Sequence, residues 1–365
     1  MKTVRRLLYR DIASSVLFVA LAFLSLFFFI DFVDELEDVG KNGYTVAHAA
    51  LFSLYELPGH TYELMPIAVL IGSIYALARL AQSSEFTILR TGGLGPGRAL
   101  ALLAVLGLAF AAATFVIGDY VAPWSERQGI AVQSQSRGGL QLGGAGAWLK
   151  DHRETADGER NVSVNVGGAA PGGALEKVRI FEFDGNGALV QRLAARRARV
   201  TDDATWLLED VTRTRWDSAA GVPEEHLDRL AWPSTLDASV VAAAVLPLST
   251  MSTAELWRYT SHLADNEQAA QRHEIAFWKK ALYALACLVM VALALPFAYL
   301  HARTGGISLK VFGGIMLGIS FVLLNNVAGH LGLLRDWTPW LVAATPSVAY
   351  LLLSLAAFWW LVRYR

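Results

Sequence analysis

The sequence predicts an α-helical membrane protein with six transmembrane helices and an inserted all-β, jelly-roll-like domain, on three observations. Its 365 residues are 54% hydrophobic and only 17% charged, with a mean hydropathy of +0.39, whereas soluble domains carry about a quarter charged residues. Apolar stretches long enough to cross about 30 Å of hydrocarbon recur six times. Between the third and fourth of them the chain changes character, with charge every few residues and an apolar period of two.

Span one covers 12–30, behind the basic cluster Lys2, Arg5, Arg6 and Arg10. Its apolar run is too long for a signal peptide and no small-residue cleavage site follows, so it is expected to be retained. Spans two and three cover 64–81 and 99–118. In the insert, Asn161–Val166 and Glu176–Phe183 alternate, and Asp184-Gly-Asn-Gly187 is a hairpin signal. Further strands fit 188–200 and 205–216, with 167–173 as a loop and Gly221-Val-Pro223 as a turn. Ser252-Thr-Ala-Glu255 reads as a capping box opening a helix through Leu256, Tyr259 and Leu263, and a second helical stretch from Glu267 leads into span four. Spans four to six cover 281–300, 311–329 and 341–362. The expected divisions are 1–122 for the first three spans, 123–250 for the β domain, 251–280 for a helical connector and 281–365 for the last three spans.

Charge fixes the orientation. In the short flanks of the spans, one side gathers Lys2, Arg5, Arg6, Arg10, Arg79, Arg90, Arg98, Arg303, Lys310, Arg363 and Arg365, and the other only Lys41 and Arg335. Both termini are therefore expected in the cytoplasm and the insert outside. Trp124, Trp278, Trp337 and Trp340 fall at the outer boundary, with Trp359 and Trp360 at the inner one, where amphipathic rings settle.

Several classes are excluded. Cys287 is the single cysteine, which removes disulfide frameworks and thiol redox pairs. The net charge of −1 gives no pull toward nucleic acid. There is no phosphate-binding G-x-x-x-x-G-K-[ST], His273-Glu274 lacks a second histidine, and no nucleophile elbow occurs. No catalytic constellation and no metal site are expected.

Four features remain. The loop Gln82–Gly93 reads as a short amphipathic helix, with Ser84-Glu85 at its start, Phe86, Ile88 and Leu89 as apolar contacts and Gly92-Gly93 as its stop. It suits a partner's groove and, equally, a connector lying on the bilayer. Glu63 and Asn325-Asn326 with His330 interrupt the spans near their edges; headgroup placement or interhelical hydrogen bonding accounts for them more simply than a transport path does. The acidic run Asp31, Asp34, Glu35, Glu37 and Asp38 fits a solvated flank. Arg192, Arg196, Arg197 and Arg199 fit an exposed strand face better than a phosphate site.

Taken in order, Tyr9-Arg-Asp-Ile12, Asp31-Phe-Val-Asp34, Pro66, Ala68, Leu70 and Gly72, Ser84-Glu85 and Gly93, Gly118-Asp-Tyr-Val-Ala-Pro123, Trp148, Lys150-Asp151, Phe183, Leu189, Ala195, Ala198, Trp206, Val211 and Trp278-Lys279 resemble the LptF/LptG permease family of the lipopolysaccharide export ABC transporter. The likeness covers nearly the whole chain, and the first-span flank and Gly118–Pro123 lie nearer the LptG type. It implies an inner-membrane subunit with a periplasmic jelly roll, paired with an LptF permease and an LptB ATPase dimer, delivering lipopolysaccharide to LptC and a periplasmic LptA bridge. This chain would hold no cofactor, ATP and Mg being bound by the ATPase. The 82–93 loop becomes the coupling helix, with Ser84, Glu85, Phe86, Leu89 and Arg90 as its contacts. Leu24, Phe27, Phe28 and Asp31 on span one and Phe321, Leu324 and Asn325 on span five become lipid-cavity positions. The resemblance implies lysines just after span one, where this chain has Asp31, Glu37 and Asp38. A divalent cation or a partner's positive charge would then have to meet lipid phosphates. A sister LptF-type subunit, a non-transporting anchor for a binding module and an ion-coupled transporter are the alternative readings, the last disfavoured by the lack of ionisable groups near the midplane.

Overall fold

The computed structural model describes residues 2–41, 43–137, 140–141, 146–155, 158–170, 174–201, 205–216, 223–234, 236, 241, 247–265, 270–299 and 306–363. Helix α1 (Lys2–Glu35) overruns its expected span at both ends, because no Gly or Pro interrupts it and nothing at the hydrocarbon edge requires a helix to stop. Helix α2 (Val46–Gln82) carries Pro58 and Pro66 within it. A short α3 (Glu85–Thr91) leads to α4 (Pro96–Val116), which opens on Pro96, where a missing N–H costs nothing. A π-helical turn at Ile117–Val121 joins α4 to α5 (Ala122–Arg137), so the stretch 123–137, expected at the start of the β insert, is helical. After the sheet come α6 (Thr253–Asp265), α7 (Gln271–Tyr283), α8 (Ala286–Tyr299), α9 (Ile307–Leu334) and α10 (Pro339–Arg363).

Five of the described helices are long and apolar enough to cross a membrane, and α7 with α8 makes a sixth crossing if the pair counts as one. That pair corrects the expectation of a continuous fourth span. It bends by 50° between Tyr283 and Ala286, where Leu285 N–H and Cys287 N–H bond three residues back to Leu282 and Ala284 and tighten the turn.

The chain forms two compact units. The first comprises Met1–Asp34, Glu56–Ser125 and Glu274–Arg365. Its core joins Leu8, Ile12 and Val16 of α1 to Leu70, Ile74 and Leu77 of α2, Leu103 of α4 and Met290 of α8. Glycines set the seams, as close helix approach in lipid demands. A Cβ on Gly72 would lie 2.6 Å from the Val16 backbone, one on Gly107 3.1 Å from Leu288, and one on Gly318 2.9 Å from Ile67. The opposite faces carry exposed Phe18, Leu21 and Phe29 on α1 and Phe312, Met316, Ile319 and Leu323 on α9, as lipid-facing helices do.

The second unit comprises Glu35–Tyr55 and Glu126–His273. Its strands are β1 (Leu140–Gln141), β2 (Ala147–Thr155), β3 (Gly158–Ala169), β4 (Leu175–Phe183), β5 (Leu189–Val200), β6 (Thr205–Arg215) and β7 (Glu224–Pro233). They pair antiparallel in chain order from β3 to β7, with β1 and β2 both on the free edge of β3. The expected hairpin at 184–187 is present: the Asp184 carboxylate accepts the Asn186 and Ala188 N–H groups and Gly187 takes φ +82°. Leu149, Val164, Ile180, Leu193, Trp206 and Leu208 bury one face. The capping box is also made, with Ser252 Oγ accepting the Glu255 N–H at 3.2 Å and the Glu255 carboxylate accepting the Ser252 N–H at 2.8 Å. Residues 171–173, 221–222, Glu267, Arg303 and Arg365, which entered the sequence expectations, lie outside the described residues.

Candidate functional site

The loop between the second and third spans folds into α3, a helix of seven residues. Its stop follows the sequence: Gly92 and Gly93 N–H close on Ile88 and Arg90 carbonyls, Leu94 N–H closes on Leu89, and Gly93 takes φ +96°. Its start does not. Ser84 sits at the cap position in a left-handed conformation, φ +60°, and its hydroxyl makes no capping bond, so the turn is set by backbone geometry.

The helix has two sides. Phe86 is only 2% exposed; its ring meets Tyr299 edge-on at 5.3 Å, and Tyr299 in turn meets Phe358 at 6.5 Å. The Arg90 guanidinium lies 4.9 Å from the Tyr299 ring centroid. Leu89 packs partly buried on the same core. Ser84, Glu85 and Ile88 face outward, Ile88 at 66% exposure. The outward side thus presents an apolar side chain beside a carboxylate, while the opposite side is anchored on the core. Tyr299 and Phe358, which seat the helix, stand far along the chain in apolar segments with nothing local to mark them.

The positions expected to line a cavity fall into two sets held by different neighbours. On α1, the Phe27 ring lies 4.8 Å from His60 of α2, Phe28 stacks on Phe32 at 6.1 Å, and Asp31 Oδ2 lies 2.8 Å from His60 Nε2. Leu24 is partly buried. On α9, Phe321 is 2% exposed and meets Tyr350 of α10 at 5.2 Å, so its ring faces the bundle core. Leu324 is partly buried against that core, and the Asn325 carbonyl accepts Lys279 Nζ at 2.8 Å. Glu63 is exposed, and its carbonyl accepts the Tyr283 hydroxyl.

The acidic flank is more than a solvated face. Tyr44 donates to Glu35 at 2.8 Å, Gln133 donates to the other Glu35 oxygen at 3.0 Å, and Lys41 pairs with Asp38. Burial, then the Glu35 hydrogen bond, raises the Tyr44 phenol far above its ordinary range, so it stays a donor.

Inside the sheet, Glu182 is 3% exposed and receives Trp232 Nε1 at 2.8 Å, with Arg153 and Arg160 at 3.5 and 3.4 Å. Trp232 meets Trp206 edge-on at 5.8 Å. Trp206 and Trp232 thus pack on each other on the buried face of the sheet. Arg196, Arg197 and Arg199 are exposed, while Arg192 lies over the Phe181 ring at 6.0 Å.

Apolar helical crossings, glycine-tight seams, a short anchored helix between crossings and an inserted β sheet are the build of a transporter permease subunit. The model of the family described as lipopolysaccharide export system permease LptF/LptG matches residues 6–363, and the chain belongs to that family. A relative from Haemophilus influenzae, named lipopolysaccharide export system permease protein LptG, is 25% identical over 99% of this chain and 98% of its own length. The protein of the same name from Escherichia coli K12 is 26% identical over 98% of this chain and 97% of its own. Membership makes this chain a multi-pass inner-membrane permease subunit of the lipopolysaccharide export system, a transport component and not itself an enzyme.

Proposed function

We propose that the chain is the LptG-type subunit of the exporter, and that it extracts lipopolysaccharide from the inner membrane in a complex with an LptF-type permease and an LptB ATPase dimer, passing it toward LptC and LptA. The names of the two relatives favour the LptG type over LptF, as does the Gly118–Pro123 stretch. In this reading both termini are cytoplasmic and the sheet is periplasmic. ATP and Mg belong to the ATPase.

The observation that carries the reading is the two-sidedness of α3. Drawing a lipid chain from the bilayer into water costs about 0.8 kcal/mol per CH₂, so extraction needs an energy source and a sheltered apolar route. Glu85 and Ile88 offer the ATPase a handle, while Phe86 and Arg90, seated on Tyr299, pass its displacement to α8 and α10. Leu24, Phe27 and Phe28 of α1 and Leu324 and Asn325 of α9 supply the route's walls, with Phe321 backing α9 against α10.

Glu85→Arg and Glu85→Ala test this in the reconstituted complex. Lipid release per ATP hydrolysed should fall at least tenfold with assembly intact. Wild-type coupling in both variants would refute the assignment of α3.

A further inference from the structure

Beyond the coupling helix, a second feature of the first unit points to the cargo. At the end of α1, Asp31 and Asp34 supply carboxylates, which repel a phosphate. A partly buried positive group lies elsewhere in this unit. Lys279 projects from α7 onto α9, where its ammonium donates to the Asn325 carbonyl at 2.8 Å. Gly329 forms the notch that admits it, since a Cβ there would collide with Lys279 Nζ. Ile275, one turn earlier on α7, packs with Ala328 and Val342 and fixes the register of the two helices.

Asn325 lies ten residues before Arg335, which caps α9, and so about 15 Å along the helix from that end. The ammonium is therefore seated beside an apolar span and partly buried. Among the described residues no carboxylate pairs with it. A carbonyl engages one of its three donors. A partly buried ammonium beside an apolar helix persists where it faces a wet cavity or an ion of opposite sign, and the exposed Asn326 and His330 continue the polar strip along α9.

We propose that Lys279, held in the Gly329 notch beside Asn325, is a contact for a phosphate group of the glycolipid cargo. The inference rests on the lipopolysaccharide-transport reading above and gives it a charged contact that the acidic flank of α1 does not. A lysine ammonium suits a phosphate as a point charge, without the fixed fork of a guanidinium.

The test is native mass spectrometry of the purified transporter complex in nanodiscs, comparing its binding of bis-phosphorylated lipid A, dephosphorylated lipid A and phosphatidylglycerol. Wild type should prefer the phosphorylated lipid A. Lys279→Met should reduce that preference about tenfold, the scale of one charge-assisted contact. Lys279→Arg should keep most of it, and Gly329→Ala, which displaces the ammonium while retaining its charge, should weaken it. An unchanged preference in Lys279→Met or, should that variant not assemble, in Gly329→Ala overturns the assignment. A parallel loss of phosphatidylglycerol also overturns it, in favour of a bulk-lipid phosphate. Should the wild-type complex bind neither form of lipid A, the transport reading itself falls, which separates the two failures.

Discussion

Phe86 of α3 and Tyr299 at the end of α8 meet edge to face at 5.3 Å, so a helix of seven residues between the second and third spans rests on the fourth. A helix this short has too few internal hydrogen bonds to hold itself. Tertiary contact with Tyr299 therefore holds it in place.

Replacing that ring therefore loosens the helix. Phe86→Ala should cost about 3 kcal/mol of local stability, and Arg90→Ala, which removes the cation over Tyr299, about 1 kcal/mol or less. Hydrogen exchange across 83–94 should accelerate in that order. Equal protection in Phe86→Ala and wild type would contradict the anchoring role.

The seam between α1 and α2 is set by backbone contact. At Gly72 an added Cβ meets the Cα and N of Val16, which cannot swing aside as a side chain would. Gly72→Ala should lower stability by about 1–3 kcal/mol, read as a lower thermal midpoint in detergent. Gly95→Ala, where a Cβ meets open space, is the control and should leave the midpoint unmoved.

Acid should loosen the start of α6. Burial alone would raise the Glu255 carboxyl, but Arg127 at 2.6 Å and the Ser252 N–H and hydroxyl outweigh it and hold the group below its ordinary value. A carboxyl lowered on folding stabilises the fold above its unfolded pKa, and that contribution disappears as pH falls through the lower folded value. The thermal midpoint of the full chain should decline below about pH 4.5, and Glu255→Gln should flatten that decline. A wild-type slope in the variant would show that other carboxylates carry it.

Within the sheet, Glu182 binds two guanidinium groups and an indole N–H. Glu182→Ala leaves all three without their acceptor and should cost about 3–5 kcal/mol. Loss of the fixed Trp206–Trp232 pair should appear in near-UV circular dichroism. An unaltered spectrum and midpoint would mean that apolar packing alone holds Trp232.

The sequence by itself determined the frame. Apolar runs of span length, the period of two in Asn161–Val166, the Asp184–Gly187 turn and the Ser252–Glu255 box each act through residues within a few positions of one another, so their physics can be read along the chain. Tertiary structure alone decided the seat of α3 on Tyr299, the pairing of Asp31 with His60, the bend between Tyr283 and Ala286 and the lodging of Lys279 at Gly329. These join groups between 29 and 213 positions apart, or depend on the packing around a bend, and in uniformly apolar helices periodicity does not reveal which face meets which neighbour. Where every side of a helix is greasy, a missing side chain or a lone charge selects the contact, and its partner becomes visible only once the helices are side by side.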